Sequence, residues 1–153
     1  MKRWETRLSH AATIAVASTG IAYFWMKYLL ENDDPFSVVN HPWQPLMLAL
    51  HVIAAPVLVF VVGLIVRSHM LKKLAGGERT NRGSGLASMI TLPVMILSGY
   101  LLQVVSAPLL ARIVLLAHLV SSAVFVVTYA AHQLVSFRSG RPIARAASAR
   151  RVA

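Results

Sequence analysis

The sequence predicts an all-α integral membrane protein, a four-helix bundle with both termini on the cytoplasmic side. Three observations carry that expectation. The 153-residue chain is 57% hydrophobic and only 13% charged, with a mean hydropathy of +0.65; an ordinary soluble domain is roughly 45–50% apolar and about 25% charged. The charges are gathered into short stretches, so residues 8–26, 35–66, 83–111 and 113–137 contain no Asp, Glu, Lys or Arg. Each run can hold the roughly 20 residues that a spanning helix needs. Finally, thirteen of the fifteen basic residues fall before the first run, between Arg67 and Arg82, or from Arg138 onward. Only Lys27 and Arg112 lie toward the other side, which also holds three of the five acids. The positive-inside rule then puts both ends of the chain in the cytoplasm.

The first span is expected over about residues 9–30. Lys2, Arg3 and Arg7 precede it, and Ala15-Val16-Ala17 resembles a signal-peptidase site. The apolar run nevertheless continues to Met26, so a retained helix is expected rather than a cleaved signal. An acidic segment with Glu31, Asp33 and Asp34 leads to the second span, about 44–67, which contains Pro56. A basic, Gly-rich loop (Lys72, Lys73, Gly76, Gly77, Arg79, Arg82) leads to the third, about 85–106, which contains Pro93. Membrane helices tolerate such prolines when neighbouring groups satisfy the freed carbonyl. A tight turn around Ala107–Pro108 leads to the fourth span, about 110–135, and residues 136–153 form a basic cytoplasmic tail suited to anionic lipid headgroups. The +10 net charge is therefore read as a membrane-orientation signal and not as nucleic-acid binding. The chain has no cysteine, which excludes disulfides, iron–sulfur clusters, zinc thiolates and thioether-attached haem. Haem held by imidazole stays open.

The fourth span carries the most informative pattern. His118 and His132 are the two polar ends of "HLVSSAVFVVTYAAH". Fourteen residues rise about 21 Å and stop about 40° short of four turns. Both imidazoles therefore leave one face of the helix, one near each membrane surface. A lone intramembrane histidine often does no more than bond a neighbouring helix, but two on one face point to a ligand role at two levels. His51 lies about as far into the second span as His118 lies into the fourth, and both spans run inward, so these two share the outer depth. "LMLALHVIAAPVLVF" and "IVLLAHLVSSAVF" also echo each other, which hints at a repeated helix pair. At the inner depth His132 has two candidate partners, His10 at the start of the first span and His69 at the end of the second. His69 shares the face of His51 but lies about 27 Å along the helix from it, and its simpler reading is a solvated interfacial histidine. His41, in "VVNHPWQP", reads as a loop residue. Gly20 and Gly99 give the room that a flat cofactor's edge requires, or ordinary close helix packing. Met26, Met47, Met89 and Met95 read as core- or lipid-facing. Lys27, Arg112, Arg67 and Arg138 suit either haem propionates or snorkelling at the membrane boundary.

"RLSH" opening the first span, a histidine early in the second and H-x13-H in the fourth resemble the bacterial cytochrome b561 superfamily. This group includes the cytochrome b subunits of nickel–iron hydrogenases and formate dehydrogenases. The resemblance covers residues 7–135. It implies two b-type haems with axial iron ligands His51 and His118 at the outer level and His10 and His132 at the inner one. Ala11 stands where the family often has Trp, and His69 has no place in the family pattern, so His69 remains the alternative inner ligand.

The function this implies is electron transfer across the bacterial inner membrane, between a periplasmic cytochrome or dehydrogenase and the quinone pool. Beside four spans the chain has no soluble donor-binding domain, so a subunit of a larger redox complex is expected. A stand-alone quinone reductase acting on a small outer-face reductant is one alternative. A haem-free structural or assembly subunit is another. No nucleophile–base pair, phosphate loop or carboxylate dyad is present, so no catalytic residue is assigned.

Overall fold

The computed structural model describes residues 2–32, 34, 36–66, 71–72, 76 and 82–152, with side chains in the last helix as far as Arg138. Among the described residues the chain forms four long helices, α1 (Arg3–Tyr28), α2 (Gln44–Ile65), α3 (Arg82–Leu101) and α4 (Pro108–Val152). Three stretches are long and apolar enough to cross a membrane: Gln44–Ile65, Gly83–Leu101 and Pro108–Arg138. α1, at 26 residues, is also long enough, but Ser9, His10, Thr13, Ser18, Thr19 and Gly20 dilute its apolar content.

The helix ends follow from local chemistry. At the start of α1, Glu5 Oε2 accepts a hydrogen bond from the Lys2 backbone N–H at 2.8 Å. That carboxylate satisfies an orphan donor and sits favourably at the positive end of the helix dipole. At the other end, Lys27 Nζ donates to the Tyr23 hydroxyl at 3.0 Å and lies 5.4 Å and 5.5 Å from the Tyr23 and Tyr28 ring centroids. The connection to α2 is tied down by polar side chains. Asn40 Nδ2 donates to the Lys27 carbonyl, Asn32 Nδ2 to that of Val39, and the Asn40 N–H to Gln44 Oε1. His41 belongs to this loop, as expected, and its Nδ1 accepts the Trp43 N–H at 3.1 Å. α2 opens with Pro45 in its first turn, where a missing N–H is harmless.

Pro56 and Pro93 both lie inside continuous helices. The third span, however, stops at Leu101 and not near residue 106. The Gln103 and Val104 N–H groups fold back onto the Tyr100 and Leu101 carbonyls, closing the helix in tight turns. Pro108 then disfavours helical geometry at the residue before it and becomes the first residue of α4. α4 in turn runs past residue 135, carrying the backbone of the basic tail as helix to Val152.

The chain divides into two compact units, residues 1–75 and 76–153. In the first, α1 packs on α2; in the second, α3 packs on α4. The first seam buries Ser9, Ala12, Thr13 and Val16 of α1 with Leu58, Val61 and Ile65 of α2. The second buries Ser88, Leu92, Met95 and Ser98 of α3 with Val114, Ser121 and Phe125 of α4. Each stripe recurs at roughly helical spacing, as two helices in lengthwise contact require. Small and hydroxyl residues let the backbones approach closely. Ser88 Oγ and Thr128 Oγ1, 2.9 Å apart, bond across the second seam. The outward faces are apolar: Ile53, Phe60 and Val127 are each about two-thirds exposed (69%, 66% and 68%), which calls for an apolar surrounding in place of water.

Candidate cofactor-binding site

Both seams contain histidines, and His51 and His118 are held in the same way. In the first unit, the ring of His51 lies against α1. Its Nδ1 is 3.0 Å from the Val16 carbonyl oxygen and 3.4 Å from Thr19 Oγ1. A carbonyl only accepts, so Nδ1 carries the proton and the lone pair is on Nε2. Gly20 makes the approach possible. A Cβ there would meet His51 Cε1 at 2.8 Å and Nδ1 at 2.9 Å, closer than a side-chain carbon can come.

The second unit repeats this arrangement. His118 Nδ1 is 3.0 Å from the Met95 carbonyl oxygen and 3.3 Å from Ser98 Oγ. A Cβ on Gly99 would meet His118 Cε1 at 3.1 Å. The carbonyl, the hydroxyl and the glycine occupy corresponding places, "VASTG" in α1 and "MILSG" in α3. In both, the hydroxyl's own proton is directed elsewhere. Thr19 donates to the Ala15 carbonyl at 2.7 Å and Ser98 to that of Val94 at 2.6 Å. Each hydroxyl oxygen is thereby turned toward the imidazole N–H as a second acceptor.

A third seat lies farther along the second seam. Ser84 Oγ is 3.3 Å from His132 Nδ1, and a Cβ on Gly85 would meet His132 Cε1 at 3.4 Å. A hydroxyl takes either role, so this contact orients the ring without choosing its tautomer. Ser84-Gly85 and Ser98-Gly99 are fourteen residues apart, the same spacing as His132 and His118. The seam of α4 runs through Val114, His118, Ser121, Phe125, Thr128 and His132 in steps of four and three. The two histidines therefore share the α3-facing side of one helix.

The corresponding fourth position is different. Fourteen residues after His51 stands Ile65, which is buried, and Glu5-Thr6 stands where α3 has Ser84-Gly85. His10 is half-buried on α1 beside the buried Ser9, off this register. His69 and Arg67 lie outside the described residues. Gly20 and Gly99, expected at a cofactor's edge or in close packing, each accommodate an imidazole from the partner helix of their own unit. Met26 and Met95 are buried, while Arg112 and Arg138 are exposed.

Sequence reasoning found the histidines and two of the glycines. It missed Thr19, Ser98, Ser84, Gly85 and the two acceptor carbonyls. The available signal was the [Ser/Thr]-Gly dipeptide at 19–20, 84–85 and 98–99, with the last two in step with H-x13-H.

The donor set suits a haem iron held by axial imidazoles. Such a ligand is a neutral ring presenting Nε2, with its Nδ1–H held by a carbonyl or similar acceptor that fixes the tautomer and orientation. His51 and His118 meet this description. Among the described residues there is no group of three or more His, Cys, Asp or Glu placed to hold a metal ion, but a tetrapyrrole-bound iron takes only two ligands from protein. No protein-family model, curated protein or solved structure matches the chain.

Proposed function

We propose that the chain is a di-haem b-type membrane cytochrome. In this reading the two helix pairs form one four-helix bundle, with all four helices spanning the bilayer and both termini in the cytoplasm. His51 and His118 would hold an outer haem. His132 is a ligand of an inner haem, with His10 as its partner and His69 as the alternative. The observation that carries the reading is the matched seating of His51 and His118. Each is held at Nδ1 by a helix carbonyl and packs against a glycine, where a Cβ would come within 2.8 Å of His51 Cε1 and 3.1 Å of His118 Cε1.

Bound haem would supply one-electron exchange here. The residues of this chain do the rest. The carbonyls of Val16 and Met95 hold the Nδ1 protons, which keeps each lone pair on Nε2. Gly20 and Gly99 admit the rings to the helix surface, so each imidazole is fixed on a rigid element. The apolar faces exclude water from the ligands. Lys27, anchored by Tyr23 and Tyr28, marks the outer boundary of α1. We assign to this arrangement electron transfer between a periplasmic redox partner and membrane quinone, within a larger redox complex.

The test is the colour and stoichiometry of the purified protein. Sharp reduced b-type absorption bands and about two haems per chain are expected, and a colourless preparation from haem-replete cells would refute the reading. Topology is tested separately. Reporter fusions after Asn32 and after Ser106 are expected to read outside, and a fusion after Gly77 inside. An outside signal at Gly77 contradicts the assigned depths.

A further inference from the structure

The carbonyl seats fix the tautomer, but the hydroxyls beside them are not needed for that. Thr19 Oγ1 and Ser98 Oγ recur at the same place, 3.4 Å and 3.3 Å from the imidazole Nδ1. Each spends its own proton on a carbonyl one turn back along its helix. What each offers the ring is therefore lone-pair density directed at a proton that already has one acceptor. Those backbone carbonyls lie within helices whose own hydrogen bonds run from residue to residue, so they do not require the hydroxyl. A second acceptor on Nδ1–H pulls the proton further from the ring and makes Nε2 a stronger donor. A stronger donor stabilises the ferric ion relative to the ferrous ion, and the reduction potential falls.

We propose that Thr19 and Ser98 act through His51 and His118 to lower the potential of one and the same iron. Ser84, 3.3 Å from His132 Nδ1, does so for the other iron. The inference rests on the haem-binding reading above. On that reading Nε2 of His132 faces iron, so Nδ1 is the protonated atom and Ser84 is its acceptor. None of the three hydroxyls touches iron; they position and polarise the ligand. They give the chain a means of setting two potentials separately, using residues that ordinary helix packing does not distinguish from one another.

The experiment is a redox titration of the purified full chain, resolved into its two haems, for Thr19→Val, Ser98→Ala, their double variant and Ser84→Ala. Thr19→Val keeps the branched shape, and Ser98→Ala removes one atom from a site already small. All four are expected to retain two low-spin haems. Thr19→Val and Ser98→Ala should each raise the midpoint potential of the same haem, and the double variant should raise it by about the sum of the two. Ser84→Ala should raise only the other. Thr19→Ser and Ser98→Thr restore a hydroxyl and should return the potential toward the wild-type value, which a simple packing role would not require. Unmoved potentials in variants that keep both haems overturn the proposal while leaving the haem reading intact. Shifts of different haems by Thr19→Val and Ser98→Ala overturn the claim that both act on one iron. A colourless wild-type protein overturns the haem reading and this inference with it.

Discussion

The two helix pairs are variations on one design, and they differ at one corner. α1 and α3 both present a carbonyl, a hydroxyl and a glycine to a histidine of the following helix. They also match in buried positions, Ser9 with Ser88, Val16 with Met95, and Leu58 with Phe125. Fourteen residues farther on, the second pair repeats the seat with Ser84, Gly85 and His132. The first pair does not. Ile65 replaces the imidazole, and Thr6 stands where the glycine would be. Glycine and histidine are thus present together at three places and missing together at the fourth. If the glycines served only close helix packing, an apolar Ile65 would fit a glycine as well as an imidazole does. Their joint presence argues that each glycine exists to admit a ring.

The largest effects should come from the rings themselves. His132→Ala is expected to remove one haem and leave the other, read by haem content and the low-spin electron paramagnetic resonance signals. A bare imidazole opposite an empty position in an apolar site holds haem poorly, and water does not easily replace the missing ligand. The odd corner can be examined in the same way. Because Ile65 fills the register position, the partner of His132 must come from off the repeat. His10 and His69 both lie off it; with His10 as the proposed partner, His10→Ala should cost the inner haem and His69→Ala should retain both. The opposite result would assign that place to His69.

The glycines should give a graded series that follows their clearances. Gly20→Ala puts a carbon 2.8 Å from His51 Cε1, so the ring must move off its carbonyl. Disturbing such an outer contact typically costs roughly 10–100-fold in metal affinity, and this variant belongs at the upper end. Gly99→Ala, at 3.1 Å, should cost less. Gly85→Ala, at 3.4 Å, is in ordinary contact distance and should change haem retention least. Haem loss to an apo-acceptor protein, measured as a rate for each variant, would show the order. A reversed order would mean that the seats are not what holds the rings.

Much of this was legible in the sequence because hydropathy, charge placement and helical spacing all leave residue-level marks. The four apolar runs, the prolines inside helices, the loop role of His41 and the shared face of His118 and His132 follow from such marks. The end of α3 does not, because Leu102, Val104 and Val105 continue the apolar run beyond the helix that stops at Leu101. α1 shows the converse. Its polar residues lower its hydropathy, yet Ser9 and Thr13 are buried against α2 and Thr19 serves His51. The seats were harder to see, since their principal acceptor is a backbone carbonyl, which every residue possesses. Serine, threonine and glycine near a helix contact also look like ordinary small-residue packing. Only the distances reveal that the same few atoms converge on each ring.

In the proposed cytochrome, one ligand from each helix pair serves a single iron. This pairing is tested most directly by counting haems in His51→Ala, His118→Ala and the double variant, all purified from haem-replete cells. If the two histidines share an iron, each single variant retains one haem and the double variant also retains one, with the spectrum of the inner site unchanged in all three. If they serve different irons, the singles each lose a different haem and the double variant is colourless.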